Sequence, residues 1–89
     1  MYTLPKGVIL VATRAYVLIE TAVGKTREVV GVLKGMEGVT ITDAVTGPYD
    51  IIAIVEMPDL NAVGDLVTSK IHPIPGISRT VTCLAISFD

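Results

Sequence analysis

The sequence predicts an α+β fold, a ferredoxin-like βαββαβ sandwich whose four-stranded antiparallel sheet carries two helices on one face. Three observations predict it. Apolar residues fall at helical spacing in two segments, 25–36 and 60–71, each lying between runs that read as strand. Between these two units, Thr46-Gly47-Pro48-Tyr49-Asp50 breaks the chain as a hairpin does, because glycine tolerates positive φ while proline fixes φ and removes a ladder donor. Right-handed crossovers through the helices then put the first and third strands, the two most apolar, in the middle of the sheet.

Taken in order, residues 1–13 form an N-terminal extension and residues 14–89 the compact domain. The residues of Val8 to Ala12 leave three readings open: an extra strand on a sheet edge, a backward extension of the first strand, or a loosely ordered leader. Ala15 to Glu20 reads as the first strand, rich in β-branched and aromatic residues. From Lys25 to Met36 the apolar positions Val29, Val30, Leu33 and Met36 share one helical face, opposite Lys25, Arg27, Glu28 and Lys34. Gly31 inside that helix costs up to ~1 kcal/mol against alanine, and close packing of the helix on the sheet would account for it.

Val39 to Thr46 alternates as a strand, with Val39, Ile41, Asp43 and Val45 on one face. Tyr49 to Met57 follows the hairpin, with Tyr49 and Asp50 expected at its tip. Pro58-Asp59 then breaks the strand and caps a second helix, with the stripe Leu60, Val63, Leu66, Val67 and Ile71, which closes at His72-Pro73. Pro75-Gly76 turns the chain into a final strand from Ile77 to Phe88, with Arg79, Val81, Cys83 and Ala85 on one face.

In the third strand Ile51, Ala53, Val55 and Met57 face one way while Ile52 and Ile54 face the other, yet two helices cover only one side. Half the residues are hydrophobic (51%) and only 18% are charged, below the usual quarter, so a small chain cannot hide all of its apolar surface. Covering ~600 Å² of apolar sheet at ~25 cal/mol per Å² would supply on the order of 15 kcal/mol before association costs. A homo-oligomer packed sheet on sheet, of the dimeric α/β-barrel type, is therefore expected.

The chemistry excluded is equally informative. A net charge of −2 supplies no basic stripe for phosphates, so direct nucleic-acid binding is not expected. One histidine, His72, and one cysteine, Cys83, leave no metal-ligand set, no disulfide and no nucleophile–base constellation; no cofactor and no catalysis are expected. Cys83 reads as a small core residue. The apolar run Gly7 to Ala12 is too short to span a membrane and thin for a signal peptide, which places the chain in the cytoplasm. Asp43 and Glu56, the candidates for an inward acid or base, read as solvated.

Asp50 is the oddity, a carboxylate opening an apolar strand, which needs water or a partner; bonding to turn amides is one explanation and ligand contact another. The segments Thr46-Gly47-Pro48-Tyr49-Asp50-Ile51-Ile52-Ala53 and Pro75-Gly76-Ile77-Ser78-Arg79-Thr80-Val81-Thr82, with Ala15-Tyr16-Val17-Leu18-Ile19 and Gly38-Val39, resemble the effector-binding (RAM) domain of Lrp/AsnC transcription regulators. The likeness covers residues 14 to 88. It implies a domain that dimerises through its sheets and assembles into rings such as octamers or decamers, with an amino acid or related small effector held in clefts between dimers. Carried onto this chain, the ligand-binding residues are Gly47, Tyr49 and Asp50 from the hairpin and Ser78, Thr80 and Thr82 from the last strand. Backbone amides near Gly47 would hold a carboxylate, Asp50 an ammonium, and the hydroxyls would complete a polar ring.

Regulators of that family carry an N-terminal helix-turn-helix, and only 14 residues precede the first strand here. The resemblance is therefore to a stand-alone form that acts indirectly in transcription regulation, with full-length Lrp/AsnC regulators as candidate co-assembly partners. Two other readings stay open: a dimeric α/β-barrel enzyme on a small organic substrate, and a purely structural assembly module.

Overall fold

The computed structural model describes residues 2–3, 9–10 and 12–88 of the chain. Its elements are β1 (Tyr2–Thr3), β2 (Ile9–Leu10), β3 (Thr13–Thr21), α1 (Thr26–Lys34), β4 (Val39–Ala44), β5 (Ile51–Met57), α2 (Leu60–Leu66), which continues as a π-helical turn (Val67–Ile71), and β6 (Ile77–Leu84). The main sheet is antiparallel in the order β4-β5-β3-β6, so the first and third strands of the βαββαβ unit are central as expected. Among the described residues β1 and β2 pair with each other as a separate two-stranded sheet. Thr13 already belongs to β3, where it pairs with Met57, and what the sequence suggests for Val8 and Val11 lies outside the described residues.

The core follows from strand alternation. Ala15, Val17 and Ile19 of β3 and Ile51, Ala53 and Val55 of β5 are fully buried beneath Val29 and Leu33 of α1 and Val63, Leu66, Val67 and Ile71 of the second helix. No polar or charged residue is buried among the described residues. The alternate residues, Tyr16, Leu18, Ile52 and Ile54, face away from the helices and remain partly exposed. Two cross-strand ion pairs flank this open apolar face, Arg14–Glu56 at 3.6 Å and Arg79–Glu20 at 3.8 Å. Hydrogen bonding to Tyr16 and the charge of Glu56 both raise the Arg14 pKa. Exposed pairs of this kind contribute little stability, so they mark the register at the rim and leave the middle of the face apolar.

Several sequence expectations are corrected by local geometry. A bulge between Val39 and Ile41, where the Thr40 hydroxyl donates to the Ile54 carbonyl at 3.1 Å, splits the face assigned to β4. Val39 therefore packs on the core opposite Val55, while Ile41 and Asp43 share the open face with Ile54 and Ile52. The hairpin tip is 46–48, and Asp50 closes the base, accepting the Val45 N–H at 2.9 Å. α1 is shorter than its apolar stripe, and Leu60 is exposed because it occupies the first turn of α2, behind an Asp59 cap that accepts the Ala62 N–H at 2.8 Å.

The β6 ladder ends at Leu84, leaving Ile86 and Phe88 exposed. Cys83 is exposed rather than buried, because it pairs with Tyr16 on the open face of an edge strand.

Gly31 is also exposed, and a Cβ there would meet nothing within 4 Å, so packing on the sheet does not explain it. Gly31→Ala should accordingly raise unfolding stability by about 0.5–1 kcal/mol in urea titration. A loss of stability, or altered assembly, would show that something outside the chain needs the glycine.

Candidate functional site

The hairpin and the last strand each meet the C-terminal end of β3, from opposite sides. On the β5 side, Asp50 joins the central strand twice: its N–H donates to the Ile19 carbonyl at 2.9 Å, and its Oδ2 accepts the Thr21 N–H at 2.8 Å. The side chain thus completes the ladder where the backbone pairing stops. This is the hydrogen-bonding role foreseen for it, but the partner is a strand end rather than a turn amide.

On the β6 side, the register shifts between Glu20 and Thr21, and the Ser78 hydroxyl at that bulge donates to the Glu20 carbonyl at 3.1 Å. The Ala22 N–H donates to the Gly76 carbonyl at 2.8 Å, and a Cβ on Gly76, whose φ is +101°, would stand 2.8 Å from Lys25 Cβ. Only glycine lets β6 enter so close to the start of α1. Thr21 and Thr26 bring their hydroxyl oxygens to 2.7 Å, linking the same strand end to the helix.

The six sequence-derived residues therefore sit at three kinds of place. Asp50 and Ser78 flank the end of β3 from opposite sides. Gly47 is exposed in the hairpin at φ +149°, and Tyr49 is half-buried beside it. Thr80 and Thr82 pair with Ile19 and Val17, on the helix-side face of the β6 edge, with Thr80 Oγ1 3.5 Å from His72 Nδ1. None of the six lines the groove of about 720 Å³ beside α2 or the smaller one of about 330 Å³ between α1 and Ala44.

Sequence reasoning did not single out Thr21, Thr26 or the Gly76 carbonyl. The register could have found them, because pairing β6 against β3 brings Gly76-Ile77 to Thr21. Among the described residues no group of His, Cys, Asp and Glu could hold a metal ion, and no helix is long and apolar enough to cross a membrane.

The model of the Lrp/AsnC ligand binding domain matches residues 14–88. The chain belongs to that family. Its elements also superpose on solved structures. FFRP-DM1 matches with a TM-score of 0.80 at 39% identity, over 83% of this chain and 99% of that one. A hypothetical protein, PHS023 from Pyrococcus horikoshii, matches with a TM-score of 0.79 at 38% identity, over 85% and 92%. The transcriptional regulator NMB0573 of Neisseria meningitidis, solved as an L-Met complex, matches with a TM-score of 0.80 over 98% of this chain and 58% of that one; at 16% identity it shares the fold alone. No curated protein matches the chain in sequence.

Because Asp50 Oδ2 satisfies a strand-end amide, truncation and charge removal should separate. Asp50→Ala should cost about 1–3 kcal/mol of stability by orphaning the Thr21 N–H. Asp50→Asn keeps an acceptor oxygen and should stay within about 1 kcal/mol of wild type in the same denaturation experiment.

Proposed function

We propose that this Lrp/AsnC ligand-binding domain is a cytoplasmic, oligomeric sensor that binds an amino acid or related small effector between subunits. It would influence transcription indirectly, through co-assembly with regulators, rather than by holding DNA itself. The observation that carries the reading is the strand end at β3. There the hairpin and β6 both present polar groups in a domain of the matched family, and neither the groove beside α2 nor the one beside α1 is lined by them. A second subunit would supply the missing wall.

The chemistry at that end suits a zwitterion. A carboxylate has two oxygens and about four acceptor sites, so Asp50 can hold the Thr21 N–H and still accept from an ammonium. The Ser78 oxygen, donating inward to Glu20, keeps lone pairs for a ligand donor. NMB0573 is itself an L-Met complex, which favours an amino acid as the effector class. The net charge of −2 supports action without direct DNA contact.

A second reading, the structural assembly module, has one specific observation behind it: Asp50 already serves the ladder. Calorimetric titration of the twenty amino acids into the assembled protein separates the two. Saturable binding is expected, weakened by about tenfold or more in Asp50→Asn, the size of one charge-assisted hydrogen bond. Absence of binding to any of the twenty, with assembly intact, would leave the structural role.

A further inference from the structure

A groove of about 720 Å³ opens beside α2, bounded by the turn between α1 and β4 on one side and by α2 with its π-helical continuation on the other. Two thioethers, Met36 and Met57, line it. Gly38 borders it at φ +93°, and a Cβ there would come within 2.7 Å of Met57 Sδ. The far wall turns π-helical, the His72 N–H donating to the Val67 carbonyl at 2.7 Å, and this stretch carries Lys70 into the lining. π-helical turns are rare and recur at functional sites.

Charge surrounds this apolar lining with both signs. Glu37 on the turn and Asp65 on α2 offer carboxylates, while Lys70 offers an ammonium. We propose that the groove binds a small zwitterion with a short apolar arm, within a single chain. Its volume lies in the ~300–1,000 Å³ range of small-molecule sites. Thioethers adapt their shape to an aliphatic or sulfur-containing arm. Glu37 and Asp65 suit an ammonium and Lys70 suits a carboxylate, so a zwitterion makes use of both signs where a simple cation or anion uses one. This site goes beyond the proposed function, since it contains none of the residues at the β3 end and is complete in one chain.

The chain has three methionines, Met1, Met36 and Met57, so methyl-labelled methionine reports on the groove directly. L-leucine is the probe, titrated to about 10 mM, which detects affinities of the millimolar class. The Met36 and Met57 methyl signals should shift saturably with one affinity. Isoamylamine, which lacks the carboxylate, and 4-methylpentanoate, which lacks the ammonium, should each bind about tenfold more weakly. Asp65→Asn and Lys70→Gln should weaken L-leucine several-fold, and Ala62→Leu, which fills the groove from a helix-compatible position, should abolish the shifts.

Asp50→Asn must leave these shifts in place even where it removes binding between subunits, so failure at one site is distinguishable from failure at the other. Absent shifts, equal affinity for the amine or the acid, shifts that survive Ala62→Leu, or shifts lost in Asp50→Asn would each overturn the proposal.

Discussion

The structure depends on one imbalance: β3 and β5 are apolar on both faces, and the helices cover only one. Ala15, Val17, Ile19, Ile51, Ala53 and Val55 are buried under α1 and α2, whereas Leu18, Ile52 and Ile54 have only the edges of their neighbours to shield them. Water against that face carries a free-energy cost proportional to area. The cross-strand pairs Arg14–Glu56 and Glu20–Arg79 lie towards opposite ends of β3, which leaves the middle of β3 and β5 uncharged, with Asp43 on the β4 edge beside Ile52. An apolar centre within a charged rim is also the anatomy of a protein–protein interface, which is what the proposed assembly requires of this face.

The same architecture concentrates polar function at the sheet's end. Where the backbone ladder runs out beyond Ile19, side chains take over: Asp50 receives the Thr21 amide, Ser78 bonds the Glu20 carbonyl, and Thr21 reaches Thr26. These groups fix the hairpin, β6 and α1 relative to one another before any ligand arrives. A site placed there would be preorganised by the fold; Asp50 already gives structural support, so only a substitution that preserves its acceptor oxygen can separate that support from the proposed effector contact.

Much of this was legible in the sequence, for a definite reason. The two-residue period of Ile51 to Val55 and the helical period of Val29, Leu33, Val63 and Val67 each report directly on burial, and all of these residues are buried where their period puts them. The errors arose where the period itself is interrupted. The bulge at Thr40 moves Val39 onto the core while Ile41 and Asp43 go to the open face, and no composition signal marks it. Cys83 was misplaced because an edge strand supports apolar residues without covering them. The π turn at Val67–Ile71 is invisible to a helical wheel, since Leu66, Val67 and Ile71 bury themselves in either geometry. The six candidate ligand-site residues came from family resemblance rather than from spacing, and one chain shows only where each stands.

Sedimentation of the wild-type protein across a dilution series from high to low micromolar concentration, with circular dichroism on the same samples, tests the central constraint most directly. The expected result is a folded assembly of dimers or larger that loses secondary structure as it dissociates. Folded single chains that persist as soluble monomers at micromolar concentration would contradict it, because the uncovered face of β3 and β5 would then need no partner.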